Sequence, residues 1–77
     1  MTTMQFTSDM KPYLQKAKKD AKEMNGCSGI RIWHDSKIPD GYVTVEFDDT
    51  VTPGDIFRFG YRAGLHAFHY MGIYLLQ

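Results

Sequence analysis

Apolar side chains recur along the first third of the chain with the spacing of an amphipathic helix. Met10, Tyr13, Leu14, Ala17, Ala21 and Met24 fall within an arc of about 100° at 3.6 residues per turn. Thr7 or Ser8 supplies an N-cap, and Asp9 stands near the positive end of the helix dipole. Pro12 belongs in the first turn, where its missing N–H costs little. Asn25 and Gly26 both tolerate the left-handed conformation and stop the helix. The pattern then switches to period two. Residues 28–34 set Ile30 and Ile32 against Arg31 and Trp33, and residues 42–48 set Val43, Val45 and Phe47 against Tyr42, Thr44 and Glu46. Turn residues fill positions 35–41, so the two runs form an antiparallel hairpin.

A second helix opens at Thr52. The threonine is the N-cap, Pro53 the first helical residue and Asp55 the carboxylate of a capping-box variant. The helix is predicted over 53–71, with Gly72 as its end. Its polar arc is narrow and holds Asp55, Arg58, Arg62, His66 and His69. Gly60, Ala63, Gly64 and Ala67 make a small-residue strip beside Phe57, Tyr61, Leu65 and Phe68. A sheet covers only about half of a helix, so this one is expected to touch a second helix or another chain. A homodimer through helix 53–71 is therefore expected.

Residues 73–76 read as a terminal strand, and residues 2–7 alternate with Met4 and Phe6 on one face. Together these give the order βαββαβ, the ferredoxin-like arrangement. If residues 1–7 are not a strand, the order is αββαβ. Either way the fold class is α+β, a small antiparallel sheet of three or four strands with two helices on one face. A chain of 77 residues forms a single domain.

Composition narrows the class further. With 43% hydrophobic and 23% charged residues the chain is neither disordered nor low in complexity. The formal charge is zero but segregated. Residues 1–34 carry net +3, residues 35–55 net −5 and residues 56–77 net +2. A lone cysteine, Cys27, suits a reducing compartment. The N-terminal residues lack a signal-peptide pattern, and the most apolar stretch is 14 residues against the roughly 20 of a membrane span. A cytoplasmic protein with no membrane association is expected.

Four sets of residues bear on chemistry. The hairpin face opposite the helices presents Arg31, Trp33, Tyr42 and Thr44, residue types that anchor protein interfaces or stack on bases. The run from Gly41 to Phe47 resembles in part the glycine-led aromatic stretch of RNA-recognition motif domains, with Gly41, Tyr42, Val45 and Phe47 matching. Asp40 and Thr44 stand where that stretch carries a basic residue and a second stacking aromatic, so its nucleic-acid chemistry is incomplete here. Lys11, Lys18, Lys19 and Lys22 on the first helix could contact phosphates, or form a solvated face laced by Lys16–Asp20 and Lys19–Glu23 pairs.

His66 and His69 lie near Arg62, but two histidines beside two arginines do not make a metal site. Cys27, His34 and Asp35 do not form a nucleophile set, because seven residues of strand place Cys27 and His34 on opposite faces. No phosphate-binding loop, dinucleotide fingerprint or paired-cysteine motif is present. No cofactor and no metal are expected.

These readings point to a non-enzymatic binding module of inhibitor or adaptor type that docks on a larger protein or nucleoprotein. Arg31, Trp33 and Tyr42 are its expected central contacts, with Arg58 and Arg62 second. The alternative is a single-stranded nucleic-acid-binding domain that uses the sheet face and the first-helix lysines.

Overall fold

The computed structural model describes all residues except Asp35, Leu76 and Gln77, with only the backbone described from Met71 to Leu75. Strand β1 (Thr2–Thr7) leads through a single 3-10 turn (Ser8–Met10) into helix α1 (Lys11–Asn25). The hairpin strands β2 (Ile30–Trp33) and β3 (Tyr42–Phe47) follow, and helix α2 (Pro53–Leu75) closes the described chain. The sheet order is β1-β3-β2, with both neighbouring pairs antiparallel. β1 and β2 thus run parallel with β3 inserted between them, an arrangement compatible with the ferredoxin-like order.

The register explains the core. Met4 lies opposite Val45, Phe6 opposite Val43, Ile30 opposite Phe47 and Ile32 opposite Val45, so all of these share one face. Leu14, Ala17 and Ala21 of α1 and Phe59 and Ala63 of α2 complete the buried cluster on that side. Alanines at three of those helical positions let α1 and α2 pack closely against each other. Phe47 and Phe59, both nearly solvent-free, meet edge to face with ring centroids 5.4 Å apart.

Local signals position these elements. Gly26 adopts φ 66°, and the Cys27 N–H donates to the Ala21 carbonyl at 3.1 Å, the left-handed cap that Asn25-Gly26 predicts. Thr52 and Asp55 form a reciprocal capping box. The Asp55 N–H donates to Thr52 Oγ1 at 3.1 Å, and the Thr52 N–H to Asp55 Oδ2 at 3.1 Å. Gly29 is required for space, since a Cβ there would overlap the Asp48 carboxylate. That carboxylate is held in place by the Thr50 N–H at 2.9 Å and the Thr50 hydroxyl.

Two local expectations change. Neither Thr7 nor Ser8 caps α1: the 3-10 turn intervenes, Met10 holds the N-cap position without a side-chain bond, and the Lys11 N–H bonds the Ser8 carbonyl instead. The terminal strand expected at 73–76 is not formed at Ile73–Leu75, which continue α2; Leu76 lies outside the described residues. Gly72 lies inside that helix. A single glycine costs only about 1 kcal/mol there, less than a helical stop requires when no proline or asparagine follows it. The sheet therefore has three strands among the described residues, and β1 is an edge.

Phe59→Ala is expected to remove about 3–5 kcal/mol of stability in urea denaturation, since it opens a cavity against Phe47. Gly29→Ala should cost about 1–2 kcal/mol by turning Asp48 away from Thr50. An unchanged midpoint for either variant would contradict the packing described.

Candidate functional site

Strand alternation fixes the outer face of the sheet, the one without helices. Thr3, Gln5, Arg31, Trp33, Tyr42, Thr44 and Glu46 all belong to it, as the pairings Arg31–Glu46, Trp33–Thr44 and Gln5–Thr44 show. The Arg31 guanidinium lies 4.8 Å from the Trp33 ring centroid, and its Nη1 is 3.6 Å from Glu46 Oε2. Cation–π stacking at an exposed site contributes about 0.5–1 kcal/mol and the exposed ion pair less, enough to bias the arginine into one pose. Tyr42 is 43% exposed beside them. His34 Nδ1 donates to the Tyr42 carbonyl at 3.1 Å, tying the end of β2 to the start of β3.

Beneath this surface lie two polar atoms that find no partner among the described residues, the Thr44 hydroxyl and the Trp33 indole N–H. Thr44 is only 3% exposed. Each such group costs roughly 1–3 kcal/mol when left unmade. The sequence pattern places Thr44 on this face correctly, but not its burial under its neighbours.

Asp55, Arg58, Arg62 and His66 of the polar arc of α2 are engaged within the chain, while His69 is exposed. Arg62 donates from Nε to Asp20 Oδ2 on α1 at 3.1 Å, with Nη2 in ion-pair contact at the same distance, and His66 Nε2 reaches the same oxygen at 2.7 Å. These hydrogen bonds, with His66 foremost and Arg62 next, hold the Asp20 carboxyl below its ordinary range. Asp20 is thus committed to α2 rather than to Lys16. Arg58 is bound to Asp55 at 2.8 Å, one turn away. A cleft of about 250 Å³ between the helices runs past Asp20, Met24, Arg58, Tyr61 and Arg62. Arg58 and Arg62 therefore satisfy their own chain first.

Much of the exposed surface of α2 is apolar. Phe57, Tyr61 and Phe68 are 75%, 61% and 73% exposed, and Met4 on β1 lies at the margin with 39%. A groove of about 370 Å³ between β1 and α2 is lined by Met4, Phe6, Ile56, Phe57, Gly60 and Tyr61. This is the bulky flank that the helical spacing marks.

Lys11, Lys18, Lys19 and Lys22 are exposed along α1, on the helix side of the sheet. Trp33 and Tyr42 are on the other side, so the two halves of the nucleic-acid reading do not share a face. Cys27 packs partly buried against the core, while both ring nitrogens of His34 face hairpin groups, Tyr42 O at 3.1 Å and Asp40 Oδ1 at 3.7 Å. Asp35 lies outside the described residues. Among the described residues no three His, Cys, Asp or Glu side chains gather as a metal site, and no helix is long and apolar enough to cross a membrane. Sequence spacing misses Asp20 as the hub of the helix pair. The available signal is its position next to Ala21, at the margin of the buried arc.

Asp20 gives a signed pH dependence. Its folded pKa is depressed, so its contribution is present above the unfolded carboxylate value of about 3.9 and disappears as pH falls through the folded one. Asp20→Ala should destabilise the protein by about 1–2 kcal/mol at neutral pH and by progressively less as pH falls below the unfolded carboxylate value. Denaturation midpoints across that range check it; a pH-independent difference would contradict the assignment. Asp48 and Asp55, lowered chiefly by Thr50 and Arg58 respectively, act in the same direction and leave a residual acid sensitivity in the variant.

No protein-family model matches the chain, and no curated protein or solved structure does, so the functional reading rests on the residues themselves.

Proposed function

We propose that the protein is a non-enzymatic binding module of inhibitor or adaptor type that docks on a larger protein through the outer face of its sheet. The observation that carries this reading is Arg31 stacked on Trp33 at 4.8 Å beside the exposed Tyr42. Trp, Tyr and Arg are the residue types that concentrate binding energy at protein interfaces, and here the antiparallel pairing of β2 with the central strand β3 sets their spacing. An arginine already stacked loses less freedom when a partner arrives, which improves affinity without added area. Arg58 and Arg62 serve the fold in this reading, through Asp55 and Asp20, and stay outside the contact surface.

The competing reading, a single-stranded nucleic-acid binder, needs lysines and aromatics along one path. The sheet separates them, and Glu46 sits beside Arg31 on the aromatic face, where its charge repels phosphate.

Trp33 is the sole tryptophan and reports directly on this face. Its fluorescence should stay unchanged when a mixed-sequence single-stranded oligonucleotide is titrated at low salt. Saturable quenching that fades with added salt would replace the proposal with the nucleic-acid reading. A protein captured from host lysate should be lost with Trp33→Ala and with Arg31→Ala, each weakening binding by roughly tenfold or more, and retained with Lys18→Ala or Lys22→Ala. Retention by Trp33→Ala would rule the outer face out.

A further inference from the structure

We propose that a second copy of this chain covers the apolar face formed by β1 and α2, the two protomers joining β1 edge to β1 edge about a two-fold axis. The backbone sets the first condition. In the order β1-β3-β2 only one side of β1 is bonded among the described residues, and its other side presents a row of N–H and C=O groups to an incoming strand. Monomeric proteins guard such an edge with lysine, proline or a bulge. Thr2–Thr7 contains no charged residue and no proline, and it pairs in unbroken register with β3.

The side chains set the second condition. Next to the open edge lies the groove of Met4, Phe6, Ile56, Phe57, Gly60 and Tyr61. Nothing lies within 4 Å of where a Cβ on Gly60 or Gly64 would stand, so that side of the helix is open to an incoming side chain. Arg62 and His66 are turned to Asp20 and Arg58 to Asp55, which leaves the face free of charges that would repel a copy of itself.

Area and symmetry select the occupant. Aromatic side chains present about 150–250 Å² each, so the exposed portions of Phe57, Tyr61 and Phe68 amount to roughly 400 Å² per protomer. That is about half of the ~800 Å² per partner of a standard interface, before Met4 and the β1 backbone are added. A two-fold axis normal to the sheet pairs β1 antiparallel with its copy and keeps both core faces on the same side. Met4 and Phe6 of each protomer then lie towards the groove of the other. One operation satisfies both the bare edge and the bare aromatics. The interface stands apart from the outer face, so the two proposals fail separately.

The test is the mass of the full chain by sedimentation equilibrium from the low- to the high-micromolar range. The expected result is a shift from 8.9 kDa to twice that value. Phe57→Lys combined with Phe68→Lys, and separately Met4→Lys, should weaken association by roughly tenfold or more and leave the far-ultraviolet circular dichroism unchanged, because these side chains lie outside the buried core. Amide hydrogen exchange in residues 2–7 should slow as protein concentration rises. Trp33→Ala should leave the dimer intact. A mass of one protomer throughout, a dimer indifferent to the lysine variants, or one abolished by Trp33→Ala would each overturn the proposal.

Discussion

Phe47 lies on the central strand and Phe59 on α2, and their edge-to-face contact joins the two layers of the fold. Among the described residues β3 is the only strand bonded on both sides, and its inward residues Val43, Val45 and Phe47 are each at most 5% exposed. A domain of this size buries a thin core, so a few large side chains carry most of its hydrophobic stabilisation. Burying one phenylalanine contributes about 1.5–3 kcal/mol, a sizeable share of the 5–15 kcal/mol typical of a folded protein. Seating Phe59 on Phe47 also sets the rotation of α2. Arg62 and His66 then meet Asp20 on α1, and Phe57, Tyr61 and Phe68 are left exposed. The exposed apolar face is thus a geometric consequence of the same contact that makes the core.

Much of this was legible in local patterns. Period-two alternation assigns both faces of the hairpin correctly, because a strand buried on one side must alternate. The left-handed Gly26 and the Thr52–Asp55 box mark their helix ends by chemistry confined to a few neighbours. Information about non-neighbours was not legible. Asp20 pairs with residues 42 and 46 positions away, and a helical wheel of α1 alone gives it Lys16 instead. The short apolar run after Gly72 fits a strand or a helix equally well by periodicity, and only the path of the chain decides for helix. Of the expected contact residues, Arg31, Trp33 and Tyr42 share the face that alternation assigns them. Arg58 and Arg62 were visible as a polar arc, but not as the partners of acids within the chain.

Loss of the expected fourth strand alters how the surface is read. A helix in place of that strand leaves β1 as an edge, and the groove at its flank lies where the core would otherwise continue. The apolar composition of α2 then has a physical account. A soluble domain rarely leaves several aromatics uncovered on one helix face unless that face meets something. The outer face of the sheet differs in kind. Its residues already contact one another, with Arg31 on Trp33 and Glu46 and with Thr44 beneath its neighbours, so it is ordered before any partner arrives.

The two faces therefore suit different tasks. An uncovered apolar face favours a permanent neighbour, because exposing it carries a continuing hydration cost that only stable burial removes. A polar–aromatic face with its charges paired tolerates water, and it suits a partner that comes and goes. Segregated charge fits the same division. The lysines of α1 lie on the helix layer, and Asp40, Asp48 and Asp49 lie near the ends of the hairpin, so a global charge of zero still leaves a dipolar surface of the kind that steers association. A partner steered by that field and anchored on Trp33 would leave the β1–α2 face undisturbed, and a dimer built on that face would present the Arg31–Trp33 stack twice. Two linked copies of a modest site can exceed the affinity of either alone when the spacing of the partner's sites allows both to engage.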